Sequence, residues 1–160
     1  MSADRSKILL VIRLRGSSGA SRDDSVTLRM LNLLRANHAT LLPNTEDFIG
    51  MLRRVQEYVT WGEPDSEALA LAIRRCGEVR DGLSLEEGLR TLGAGDVDEL
   101  ASRICNGELG LEAFKSVFKP YIRLHPPRGG LKSSIKRPYS QGGALGYRGS
   151  DINRLLRSMI

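Results

Sequence analysis

Cysteine, histidine and aromatic residues are scarce in this 160-residue chain, which has two Cys, two His, one Trp, four Tyr and three Phe. Cys76 and Cys105 form neither a CxxC pair nor a cluster with histidine, so they read as buried, reduced thiols rather than as a zinc site or a disulfide framework. Two histidines give little material for metal or acid–base chemistry. The apolar run near the start, Ile8 to Ile12, is five residues long between charges, too short for a secretory signal or a membrane span. A cytoplasmic protein without a membrane partner is the expectation. The most telling absence is acid: no Asp or Glu occurs between Glu112 and Asp151.

That gap reshapes the modest net charge of +5. Residues 115–148 carry eight cations and no anion, so the rest of the chain is slightly acidic, with 16 cations against 19 acids. Residues 62–112 alone hold 12 acids and five cations. An acidic body with one strongly basic stretch points to a polyanionic partner.

"KILLVIRLRG" passes from a continuous apolar run to alternation and stops at Gly16, the pattern of a strand that is central first and half exposed at its end. Residues 25–38 predict an amphipathic helix with Val26, Met30, Leu33 and Leu34 inward and Arg29, Asn32 and Arg35 outward. "ATLLPN" reads as a second strand, Thr45 with Glu46 and Asp47 as a helix start, and Tyr58 to Trp61 as a third strand. Residues 64–117 read as helical throughout, with Asp65, Ser84 and Asp96 at N-cap positions and glycines at the ends. "KPYIRLHPP" returns to strand before a double proline, and "SDINRLLRSMI" places Ile152, Leu155, Leu156 and Met159 on one helical stripe.

The expected fold class is α/β of the α+β kind. It comprises a small β-α-β-α-β core sheet with helices on one face (residues 1–63), an acidic helical insertion (64–117) and a returning strand with a basic extension ending in a helix (118–160).

Catalytic constellations are hard to assemble from these residues. Glu86 and Glu87 are neighbours on a helix and point about 100° apart, which suits a solvated face rather than an acid–base pair. His38 falls at a predicted helix end, and His125 precedes two prolines with no triad or metal partner at a useful spacing. "GLRTLGAGD" and "GGALGYRG" match no nucleotide-binding loop. An enzyme needing a cofactor or small-molecule substrate is disfavoured, although an RNA-processing or RNA-modifying factor and a protein-interaction adaptor remain as alternatives.

Eight cations without an anion repel one another, and a phosphate surface resolves the conflict. Glycines let backbone N–H groups approach closely, prolines lower the entropy lost on ordering, and Tyr139 or Tyr147 can pack or stack on unpaired bases. Irregular folded RNA suits an irregular basic segment better than duplex DNA does.

The motifs "VIRLRG", "TLRMLNLLRANHATLLPNT", "GMLRRVQEYVTWGE", "RLHPPRGG" and "GGALGYRG" occur in the order found in one family. The chain resembles the archaeal form of the large-subunit ribosomal protein called protein thirty, whose eukaryotic counterpart is called protein seven. The resemblance implies a structural role bound to large-subunit ribosomal RNA beside neighbouring ribosomal proteins, with 5S RNA as a further candidate, and implies no catalytic residue and no cofactor. Carried over, the RNA-facing positions are Arg13, Arg15, Arg29, Asn32, Arg35, His38, Arg123, His125, Arg128 and Arg148. Charge alone adds Lys132, Lys136 and Arg137, and the capacity of a tyrosine to stack on an unpaired base adds Tyr147.

Overall fold

The computed structural model describes residues 8–131 and 134–160; Lys132 lies outside them. Its organising element is β1 (Ile8–Arg13), in which all six residues are buried. A strand paired on both edges and covered on both faces has no polar side, which is why its sequence is an unbroken apolar run. It pairs antiparallel with β2 (His38–Pro43) on one edge and with β3 (Val59–Gly62) on the other. The short β4 (Ile122–Arg123) extends the sheet beyond β2, with His38 opposite Arg123. On the far side β6 (Gly143–Tyr147) runs parallel to β3, and β5 (Ser134–Pro138) parallel to β6. The order across the sheet is β4-β2-β1-β3-β6-β5.

The period of two sorts β1 between two cores. Leu9 and Val11 pack with Leu28, Leu31, Leu52 and Val55, contributed by α1 (Arg22–Met30), α2 (Glu46–Arg54) and their ends. Ile8, Leu10 and Ile12 pack on the opposite face with Leu69, Ile73, Leu100 and Leu156. Those come from α3 (Ser66–Cys76), α5 (Val97–Cys105) and α7 (Ile152–Met159). Between them, α4 (Leu85–Thr91) and α6 (Leu111–Val117) add Leu89 and Phe114 to the same core. The two core helices lie on one face as expected, but the insertion and α7 cover the other. The three expected segments therefore meet in the second of these cores, while the first is built from residues 1–63 alone.

Local signals explain most helix boundaries. Asp65, Ser84 and Asp96 accept hydrogen bonds from backbone N–H groups of the first turns of α3, α4 and α5, and Ser84 and Glu87 form a reciprocal capping box. The Glu86–Glu87 pair is thereby accounted for: Glu87 accepts from the backbone N–H of Ser84 at 2.9 Å. Cys76 and Cys105 are half-buried rather than buried, and burial pushes the Cys105 thiol up to about 11.

The helix expected over residues 25–38 is the principal correction. It starts earlier and ends at Met30, because Asn32 takes a left-handed φ of 63°. The N–H of Leu33 then reaches the Leu28 carbonyl at 2.9 Å and that of Asn32 reaches Arg29 at 3.0 Å, the paired bonds of a Schellman termination. Leu33 is buried as expected, together with Leu28 and Leu31, but Val26 and Met30 on α1 and Leu34 beyond the turn are exposed, so the inward face of α1 is the one carrying Thr27 and Leu28.

The basic stretch is also more ordered than its composition suggests. Its second half supplies two strands of the sheet, and backbone proximity requires glycine: a Cβ on Gly143 would lie 1.9 Å from the Arg137 carbonyl oxygen. Packing resumes at Gly143, ahead of the boundary at Asp151 that charge alone marks.

Candidate nucleic-acid interface

The end of the sheet formed by the C-terminus of β1 and the start of β2 collects cations of two kinds. Arg13 is only 2% exposed and faces inward. Its Nη1 donates to the Leu33 carbonyl at 2.7 Å, its Nε to the Arg15 carbonyl at 2.8 Å and its Nη2 to the Ser17 hydroxyl at 3.0 Å. This guanidinium ties the reversal after α1 to the loop after β1, and burial lowers its pKa. Arg13 is thus a structural residue and leaves the set of surface cations expected from sequence.

His38 departs from expectation in the same way. It is buried, stacked on Tyr121 with ring centroids 4.9 Å apart, and its Nδ1 has no partner among the described residues. Burial lowers its pKa, and the nearby charges of Arg123, Arg35 and Arg13 push in the same direction. An imidazole in this setting is neutral at pH 7. Asn32, half-buried, serves the left-handed turn through its backbone.

Around these internal groups stand the outward cations. Arg15 is half-buried, its guanidinium 5.5 Å from the Tyr58 ring centroid and its Nη1 donating to the Glu57 carbonyl at 3.2 Å. Arg35 is exposed beside His38, and Arg123 is exposed with its guanidinium 5.8 Å from the Tyr121 ring centroid. Arg29 is exposed on the last turn of α1. Glu78, which sequence reasoning did not connect with this stretch, sits 2.5 Å from the Lys119 ammonium and 3.8 Å from Arg123. The hydrogen bond to Lys119 is the main cause of its lowered pKa. Part of the basic stretch is therefore neutralised from within the protein.

A second group surrounds α7. The loop after β4 is fastened to that helix by its backbone, His125 N–H donating to the Met159 carbonyl at 2.8 Å and Arg128 N–H to the Ser158 carbonyl at 2.9 Å. The His125 and Arg128 side chains remain exposed. Arg148 is half-buried, donating to the Thr60 hydroxyl at 2.8 Å and to the Ala144 carbonyl, with its guanidinium 4.9 Å from the Tyr139 ring centroid. Burial lowers its pKa. Lys136 and Arg137 lie on β5, all five of whose residues are exposed. Charged side chains on such an edge discourage strand addition as well as offering charge.

Tyr147 stands apart from both groups. It is 53% exposed, 6.5 Å from the Trp61 ring, and donates to a Glu63 carboxylate oxygen at 2.6 Å. The cleft beside it, about 830 Å³, is bordered by Glu46, Glu63 and Arg53 and has mixed charge.

Exposed guanidinium groups around a buried Arg13, on a mixed sheet with helices on both faces, define a basic α+β protein suited to binding a polyanion. The family model described as "Ribosomal protein L30p/L7e" matches residues 9–59. A protein of Methanopyrus kandleri named "Large ribosomal subunit protein uL30" is 41% identical over 150 residues, covering 92% of this chain and all of that protein. Proteins of the same name from Methanococcus maripaludis and Korarchaeum cryptofilum are 41% and 38% identical, covering 94% and 100% of this chain and 97% and 99% of theirs. The chain belongs to the ribosomal protein L30p/L7e family.

Proposed function

We propose that this protein is a structural constituent of the large ribosomal subunit, acting in the cytoplasm without catalysis and binding ribosomal RNA beside neighbouring ribosomal proteins. Its near full-length identity to proteins named as large-subunit components supports the ribosomal part of this reading. The observation that carries the residue-level reading is the separation of the expected site residues into buried and exposed side chains. Arg13 and His38 are buried, whereas Arg29, Arg35, Arg123, His125, Arg128, Lys136 and Arg137 are exposed on elements fixed by the sheet or α7. Arg15 and Arg148 are intermediate, each with a guanidinium over a tyrosine ring. The exposed arginines and lysines neutralise phosphates without reading sequence, and shape complementarity supplies the register.

Fractionating cell extracts on gradients at low and high salt tests the assignment. The protein sediments with large subunits at low salt, and its absence from them under both conditions refutes the reading. A chemical footprint of the purified protein on large-subunit RNA and 5S RNA together identifies the RNA contacted; protection of 5S RNA would place it among the partners.

A further inference from the structure

The loop after β4, the turn after β5 and α7 enclose a cleft of about 420 Å³, inside the range of about 300–1,000 Å³ that small-ligand sites occupy. Three guanidinium groups line it, those of Arg128, Arg148 and Arg154, against the single carboxylate of Asp151. Tyr139 also lines it, a residue 36% exposed. The tyrosine is held in place: its hydroxyl donates to Asp151, and Arg148 packs against the ring. Arg148 is in turn fixed by Thr60 and the Ala144 carbonyl, so the ring is oriented before any ligand arrives. Arg128 and Arg154 are exposed at the cleft, and Leu131 and Leu155 add apolar wall.

A free phosphate would use the arginines but leave the ring and the apolar wall without a role. An acidic peptide would likewise gain little from a flat aromatic surface. A ligand with a planar aromatic part and an attached anion uses every element of the site. Unpaired bases stacked on aromatic rings beside cations are a common form of RNA recognition. We infer that this cleft receives one unpaired nucleotide of ribosomal RNA, with the base on Tyr139 and the phosphate on Arg128 and Arg154. The inference rests on the RNA-binding reading above and extends it to Tyr139 and Arg154 as specific contacts. Arg148 is a positioning residue, acting through the tyrosine ring.

The test uses the full-length protein labelled with nitrogen-15 and titrated at constant ionic strength with guanosine 5′-monophosphate or ribose 5-phosphate. The nucleotide shifts the amides of Leu131, Gln141 and Leu155 saturably and binds about tenfold more tightly than the sugar phosphate, the difference being base stacking. Tyr139→Phe, which keeps the ring and loses the Asp151 bond, retains that preference, whereas Tyr139→Leu abolishes it. Equal binding of the two phosphates by the wild-type protein, no shifts at millimolar nucleotide, or an undiminished preference in Tyr139→Leu would each overturn the inference. Should Tyr139→Leu fail to fold, the comparison of the two phosphates on the wild-type protein decides. Absence of the protein from large subunits overturns the ribosomal reading by a separate measurement, so the two failures are distinguishable.

Discussion

Replacing Arg13 with Met separates a buried brace from an RNA contact. The substitution removes three hydrogen bonds, to the carbonyls of Leu33 and Arg15 and to Ser17. Ser17 is exposed and recovers a partner from water. The Leu33 bond is fully buried, so its carbonyl loses its partner at a cost of about 1–3 kcal/mol, and the partly buried Arg15 carbonyl adds about 1 kcal/mol. Relief from holding a charge at a site 2% exposed offsets some of this. The net expectation is a loss of about 3 kcal/mol from a total of about 5–15, or a fall in Tm of about 6–12 °C at this chain length. Arg13→Lys keeps the charge but cannot reproduce the fork, and loses about 2 kcal/mol. Circular-dichroism melts give the stability, and RNA affinity across a salt series gives the number of phosphates neutralised. A Tm within about 2 °C of wild type, together with a salt slope reduced by the value of one phosphate contact, about 0.7–0.9, would refute the structural role.

Other perturbations address the remaining elements. Arg35→Gln and Arg123→Gln each lower the RNA salt slope by about 0.7–0.9 with little change in Tm, and unchanged slopes in both would remove the sheet end from the interface. Asn32→Gly preserves the left-handed turn and changes stability by less than about 0.5 kcal/mol, whereas Asn32→Val costs about 1–2 kcal/mol; equal melts of the two variants would contradict the cap. His38 has a folded-state pKa below its ordinary 6.5. The unfolded chain therefore takes up the proton first, and stability present at neutral pH is lost as pH falls below about 6.5. His38→Phe keeps a ring against Tyr121 and flattens that part of the stability–pH curve; an identical pH dependence in the two proteins would show that His38 is not its source.

The sequence revealed the β-α-β-α-β order, the caps at Asp65, Ser84 and Asp96, and the apolar stripe of α7, because each is a local signal. It misled over residues 26–38, where one helical wheel carried past Asn32 assigned Val26, Met30 and Leu34 to the core. The left-handed angle at Asn32 takes Leu33 and Leu34 off the helical wheel that had aligned Val26 and Met30 with them, and only the asparagine within "LNLL" hinted at it. The strands at Ser134–Pro138 and Gly143–Tyr147 were hidden by charge and glycine, since their register depends on β3, more than 80 positions earlier for the Thr60–Gly146 pair. For the interface, residue type identified the cations but not their burial. Arg13 closes β1 and Arg15 lies two positions on, where a continued strand would give both the same face, yet only the packed structure buries the first and leaves the second half-exposed. Arg154 escaped notice because it belongs to the polar side of a helix read for its apolar stripe.

The parallel seating of β6 against β3 has a consequence for how the chain is made. β3 is synthesised by residue 62, but the strand that occupies its outer edge is not complete until residue 147, and the helix that closes the adjoining face follows at 152–159. During translation the growing sheet therefore carries an unpaired edge and an uncovered apolar face, the conditions under which incomplete chains associate with one another. β6 and α7 act as a completion check: a chain stopped before Gly143 has its first six α-helices and an open sheet. Final assembly must await synthesis of β6 and α7, whose contacts with β3 are distant in sequence and slow to form compared with the local contacts of the early helices.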